Sequence, residues 1–404
     1  MNTKLHVLND SHSQTTQNLT DMRIGILTFH RSINYGAFMQ CYALTRAIQK
    51  RYGNIVEVID FEKKSKHEMY QWGIKKFIQH GFDYRTTYKR FQDDLCLLPL
   101  SPEKIISDNY EDVYNYINDR YDLVIVGSDA VWAYHRHLGL RNPYWLGPEI
   151  KCRKMSYAAS AYSLDVKKVS QEEKHYINQC LEGYDYIGVR DDETLRFVKG
   201  INSELNVHRN CDPTALLPQP NNDYAKSILS RCGVDLSKPV VSFMISGTPY
   251  VDSIMKELGD KYEYIMLLSR NRIHDRFTKR KEKFLPQLSP LEWHTIFSAC
   301  YLNITKYFHG TMLALKSDVP TLAFDVTDIN YEYVSKIRQI LTDLDLSEYW
   351  ISLLNCTRHE VICKLHELID RHDEISQCIN MRMKTEKGKS ESFFQALDKV
   401  VTSV

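Results

Sequence analysis

The sequence predicts an α/β protein of two domains, and three observations carry that reading. An apolar run, an amphipathic helix and a second apolar run follow one another across residues 23–60. The same alternation restarts at Val240. Between the two, Pro218 to Asp223 is rich in proline and asparagine, the composition of a connection. Strand, helix and strand joined by short loops make a βαβ unit, with parallel strands and a right-handed crossover. At 404 residues the chain also exceeds what one ordinary core organises.

Along the chain, residues 1–21 are rich in Ser, Thr, Asn and Gln and lack the apolar core of a signal peptide, so a disordered leader is expected. Arg23 to Phe29 reads as the first strand. After the polar loop His30 to Gly36, the residues Ala37, Cys41, Leu44 and Ile48 share one helix face. Gly53 ends that helix, and Asn54 to Asp60 is the next strand. Residues 62–120 are charged and aromatic, the pattern of a helical layer. Strands return at Tyr121 to Gly127, Ser156 to Ser160 and Tyr184 to Val189, with a helix near 168–183. Asp212 to Leu217 closes a first half, residues 22–217, and 218–236 is expected to be a linker.

In the second half, residues 237–404, strands are expected at Val240 to Ser246, Tyr264 to Leu268, Asn303 to Phe308 and Thr321 to Asp325. Ser289-Pro-Leu-Glu292 spells a helix start, with a Ser cap, Pro at the first helical position and Glu for a capping box. The end is helical, with Val361, Leu365 and Leu368 on one face and Phe393, Leu397 and Val400 on another. Two Rossmann-like halves with C-terminal helices predict a GT-B-like bilobed arrangement.

Composition narrows the function. Lys and Arg number 52 against 51 Asp and Glu, so no global field recruits nucleic acid, and any anion site is local. The ten cysteines are scattered with no C-x-x-C, as in a reduced, cytoplasmic protein. Cys356, His359, Cys363 and His366 form two C-x-x-H pairs, but they fall in a stretch that reads as an ordinary helix, so no metal site is expected. No apolar run approaches the roughly 20 residues of a membrane span.

Ligands of open parallel sheets bind beyond the carboxyl ends of the strands, and four such loops contain candidates. Asn34-Tyr-Gly36-Ala is either an ordinary βα turn or a place where backbone approaches an anion at a helix N-terminus. Asp129, in Gly127-Ser-Asp-Ala-Val-Trp132, either caps a helix or accepts a proton from a substrate hydroxyl. Arg190 ends an apolar strand, where it either pairs with Asp191 or Asp192 or grips an anion bidentately. In Lys306-Tyr-Phe-His309-Gly-Thr311, His309 is placed to bind an anion or act as an acid. Gly310 leaves room beside it, and Thr311 is placed to cap the helix.

Taken in order, Leu27-Thr-Phe-His30, Asn34-Tyr-Gly36, Gly127 to Trp132, Ser156 to Ser160, Val189-Arg190, Asp212-Pro-Thr214 and Phe308-His-Gly-Thr311 resemble the polysaccharide pyruvyl transferases. The resemblance covers residues 22 to about 326. It implies a GT-B-like fold, phosphoenolpyruvate as donor, no cofactor, and a sugar hydroxyl pair as acceptor. A lipid-linked acceptor would bring the protein to a membrane surface. It also implies a donor-binding role for Arg190, a donor-binding or acid role for His309 and an acidic role for Asp129. Where some members have an Arg two positions before the His, this chain has Tyr307, and Lys306 is the neighbouring cation. Rival expectations are a nucleotide-sugar glycosyltransferase on the same architecture and a glycan-binding relative without catalysis.

Overall fold

The computed structural model describes residues 22–70, 74–162, 164–245, 250–267, 283–285, 288–327 and 334–403. The leader expected at 1–21, and the strand ends expected at Ser246 and Leu268, lie outside the described residues. Two six-stranded parallel sheets organise the chain. Across the first, the strands lie in the order Val56–Val58, Ile24–Leu27, Leu123–Val126, Arg153–Ala159, Tyr186–Val189, Val207–Arg209. Across the second the order is Lys283–Phe284, Glu263–Met266, Val240–Met244, Leu302–Thr305, Thr321–Asp325, Trp350–Ser352. Numbered along the chain within it, the second sheet runs 3-2-1-4-5-6, the Rossmann order.

Helices cover both faces of each sheet, which is why the strands read as continuous apolar runs. Ile24–Leu27, Leu123–Val126 and Tyr186–Val189 are buried throughout. The helix Tyr35–Tyr52 begins at Asn34, whose side chain accepts from the amides of Gly36 and Ala37. Its residues Leu44 and Ile48 pack on Ile24 and Ile26. On its other side, Phe38 and Met39 meet Trp293, Ile296 and Leu313 of the second half, forming an apolar seam between the halves. Deleting a fully buried ring such as Phe38 from that seam costs about 3–5 kcal/mol.

Two elements differ from expectation. The stretch 218–236 contains the helix Asn222–Arg231, capped by Asn221, which buries Ala225, Ile228 and Leu229. The last two pack against Trp293, Ile296 and Phe297. Its asparagines mark a cap rather than a break. The terminal helices also part company. Arg358–Asp370 and His372–Gly388 join the second core. Glu391–Thr402 instead crosses back and lays Phe393, Leu397 and Val400 on Ile24, Leu123 and Ile125. Periodicity reveals an apolar face but not what will cover it.

Candidate active site

Crevices open in doubly wound sheets where neighbouring strands send their connections to opposite sides. In the first sheet that point lies between Ile24–Leu27 and Leu123–Val126, whose following loops contain Asn34 and Asp129. In the second it lies between Val240–Met244 and Leu302–Thr305, and the latter runs through Lys306 and Tyr307 into the helix Phe308–Lys316.

The two crevices meet at Gly36 and His309. A Cβ on Gly36 would lie 1.9 Å from His309 Nδ1, so only glycine lets the imidazole rest on the start of the opposing helix. His309 occupies the first turn of its own helix, and Tyr307 at the N-cap supplies no side-chain cap. That end is left with uncapped amides and a positive dipole. The His309 side chain is 14% exposed. Its Nε2 is buried without a hydrogen-bond partner among the described residues and lies 3.9 Å from Asp212 Oδ2. Burial drives the imidazole pKa down to about 4, against the opposing pull of Asp212 and Asp129, and Lys336 and Arg190 add to the depression. In this state His309 is neutral.

Arg190 stands opposite. Its side chain is 3% exposed, and its guanidinium carbon sits 5.0 Å above the Phe308 ring. Both acidic neighbours hold it loosely, at 3.5 Å from Asp212 and 3.8 Å from Asp191. Each is occupied elsewhere. Asp212 accepts from Gln40 and Thr214. Asp191 caps the helix Asp192–Ile201 and accepts from Ser160. Arg190 Nε and Nη2 therefore donate to nothing among the described residues. Buried donors in that state are rare and costly.

Asp129 follows the strand Leu123–Val126 with φ 88°, an uncommon conformation for a non-glycine residue and one that concentrates at functional sites. Its carboxylate accepts from the amide of Ala130, and its charge reaches His309, Lys336 and Lys66. Lys336 is the residue sequence reasoning missed. It opens the helix Lys336–Asp343, capped by Ser335. Its ammonium lies over the rings of Phe308 (5.3 Å) and Tyr162 (5.4 Å). Burial and the neighbouring Arg190 lower its pKa. Arg190 and Lys336 line one shallow crevice. Asp212, quoted at the sequence level only as part of a motif, joins Gln40, Arg190 and His309.

Other expected contributors fall elsewhere. The open side of Gly310 faces Met244 and Thr305, so it serves close helix–sheet packing. Thr311 lies inside the helix, its hydroxyl donating back to the Tyr307 carbonyl, because the helix starts before His309 rather than after it. Lys306 lies over the half-exposed ring of Tyr307. The contact is between the two C-x-x-H pairs rather than within either: Cys363 meets His359, and His366 pairs with Glu257. Among the described residues, no group of three or more His, Cys, Asp or Glu is placed to hold a metal. No described helix is long and apolar enough to cross a membrane.

Solved structures share this architecture across nearly the whole chain. A Listeria monocytogenes protein assigned as a UDP-N-acetylglucosamine 2-epimerase superposes with a TM-score of 0.57 at 11% identity, covering 95% of this chain and 98% of that one. The Neisseria meningitidis UDP-GlcNAc 2-epimerase bound to UDP-GlcNAc gives 0.54 at 10% identity, covering 94% and 99%. At such identities the likeness establishes the fold, the GT-B arrangement of two facing Rossmann-like halves. No curated relative matches the chain in sequence. The model of one family, polysaccharide pyruvyl transferase, matches residues 34–328, a span that includes Asn34, Asp129, Arg190 and His309. The chain belongs to the polysaccharide pyruvyl transferase family.

Proposed function

We propose that the cleft binds phosphoenolpyruvate and transfers its enolpyruvyl group to a sugar, forming a pyruvate ketal and releasing phosphate. The observation that carries this reading is the pair of empty donors on buried Arg190, beside the partnerless Nε2 of His309. A compact ligand with a carboxylate and a phosphate would satisfy both, with the uncapped first turn at His309 as a third donor set. Lys336 supplies a second cation in place of the arginine that some family members have at the position of Tyr307.

The residues divide the chemistry as follows. Bound anions raise the pKa of His309, which then protonates the donor methylene and leaves a cationic C2. A sugar hydroxyl attacks C2 while Asp129 takes its proton. The C2–O bond to phosphate breaks, and the Asp129 proton leaves with the phosphate. A neighbouring hydroxyl closes the ketal and returns its proton to His309. Arg190 and Lys336 hold the phosphate throughout.

His309→Gln keeps a hydrogen-bond donor but loses the transferable proton. Turnover should fall by about 10² or more, with phosphoenolpyruvate affinity much less affected. Collapse of affinity with normal turnover at saturating donor would reduce His309 to an anion binder. Thermal shift separates the rivals: at 100 times Kd, the bound ligand raises stability by about 2.7 kcal/mol. Stabilisation by UDP-sugars and not by phosphoenolpyruvate would favour glycosyl transfer.

A further inference from the structure

A second, shallow crevice opens at the carboxyl end of the first strand and is lined by Phe29, Arg31, Glu62, Lys63, Lys66 and His137, among others. Its aromatic wall is built. Phe29 packs edge-on against His135 (5.3 Å) and Tyr144 (4.8 Å). His135 is tied to the carbonyl of Ala130, the residue after Asp129.

The charge around the crevice is unbalanced. Asp60 is taken by His30 and by both ends of the Arg31 fork. Glu62 is taken by His67 and lies 3.7 Å from Lys104. Lys63 donates to the carbonyl of His137, a neutral group. The Lys66 ammonium sits 4.4 Å above the Phe29 ring and makes no hydrogen bond or ion pair among the described residues. Burial lowers its pKa, while the charges of Asp129 and Glu62 oppose that shift. The histidine opposite offers no counter-charge: burial, then Lys66 and His135, hold the pKa of His137 down. Two half-buried lysines thus face a crevice whose acids are already spent, and one of them is within electrostatic reach of Asp129.

We propose that this crevice is the acceptor subsite, and that Lys66 binds an anionic group, phosphate or carboxylate, carried by the acceptor glycan. The proposal rests on the pyruvyl-transfer reading, in which Asp129 takes the proton of the acceptor hydroxyl. An acceptor anchored at Lys66 would lie within electrostatic reach of Asp129, as does Lys336 of the donor site. A neutral sugar would leave the half-buried Lys66 ammonium without a hydrogen-bonded anion.

Calorimetric titration of the full chain with glucose 1-phosphate, glucuronate and methyl glucoside tests this. At least one charged sugar should bind ten-fold or more tightly than the neutral one, and which of them does so identifies the anion. Lys66→Gln should abolish that preference, Lys66→Arg should retain it, and both should leave phosphoenolpyruvate binding within two-fold. Equal binding of all three sugars, or a preference that survives Lys66→Gln, overturns the proposal. Weakened phosphoenolpyruvate binding in Lys66→Gln also overturns it, by making the crevice part of the donor site. If a charged sugar binds through Lys66 but phosphoenolpyruvate binds nowhere, the subsite stands and the transfer reading falls.

Discussion

Arg190 and Arg209 sit at the carboxyl ends of neighbouring strands, Tyr186–Val189 and Val207–Arg209, and both line the same crevice. Arg209 is held between halves: one nitrogen bonds Asp192 and another bonds Asp343 at 2.6 Å, and Lys389 shares Asp343. Arg190 is more deeply buried, yet its acidic neighbours are turned to other donors and two of its nitrogens are empty. The fold ties both terminal nitrogens of Arg209 to carboxylates and leaves only its Nε unpartnered, whereas Arg190 keeps one long contact and has two empty nitrogens. Burial and charge alone do not separate them; the fate of each donor does.

The largest effect that sharpens this contrast is on stability. Arg209→Ala leaves Asp192 and Asp343 short of a partner. Breaking a fully buried pair costs 3–5 kcal/mol, and with Arg209 one-fifth exposed about 2 kcal/mol is expected in urea unfolding. Phosphoenolpyruvate affinity of the folded variant should stay within two-fold. Next comes Arg190→Lys, which retains charge but loses the fork. Donor Kd should rise about ten-fold, or 1.4 kcal/mol, while the unfolding midpoint stays put. A drop in stability with normal donor affinity would make Arg190 a second Arg209.

The smallest effect is a proton count. Free His309 has a pKa near 4 and is neutral at pH 6, so donor anions that raise this value must draw a proton in on binding. Titrations at pH 6 in two buffers of different ionisation heat should show net uptake, reduced in His309→Gln; equal uptake in both proteins would separate the donor from His309. The same depression has a sign for folding. Between pH 6.5 and 4 the unfolded histidine is protonated first, so its share of stability is lost as pH falls.

Much of this was legible in the sequence, because parallel strands buried on both faces announce themselves as apolar runs. Asn34, Asp129, Arg190 and His309 could be found from loop position, since each follows a strand. What stayed hidden depends on through-space partners. Lys336 is separated from the strand Thr321–Asp325 by ten residues of mixed composition, so it does not directly follow a strand. Asp212 looks like a turn residue until Gln40, Arg190 and His309 converge on it. Gly310 and Thr311 looked like parts of the site because their helix was expected to begin after His309. It begins at Phe308, and the one-turn difference places Gly310 against the sheet and Thr311 over its own helix.

The helix Glu391–Thr402 has a consequence for synthesis of the chain. It covers Ile24, Leu123 and Ile125 of the first sheet, and Asp398 anchors Arg51 and Tyr52 near the end of the first helix. Amino-terminal halves usually finish folding while the ribosome is still at work. Here the first half emerges with one apolar flank bare, and the segment that covers it is made only after the whole second half. Until then that flank is an aggregation hazard, a natural client for a chaperone, and removing the helix Glu391–Thr402 would make the exposure permanent.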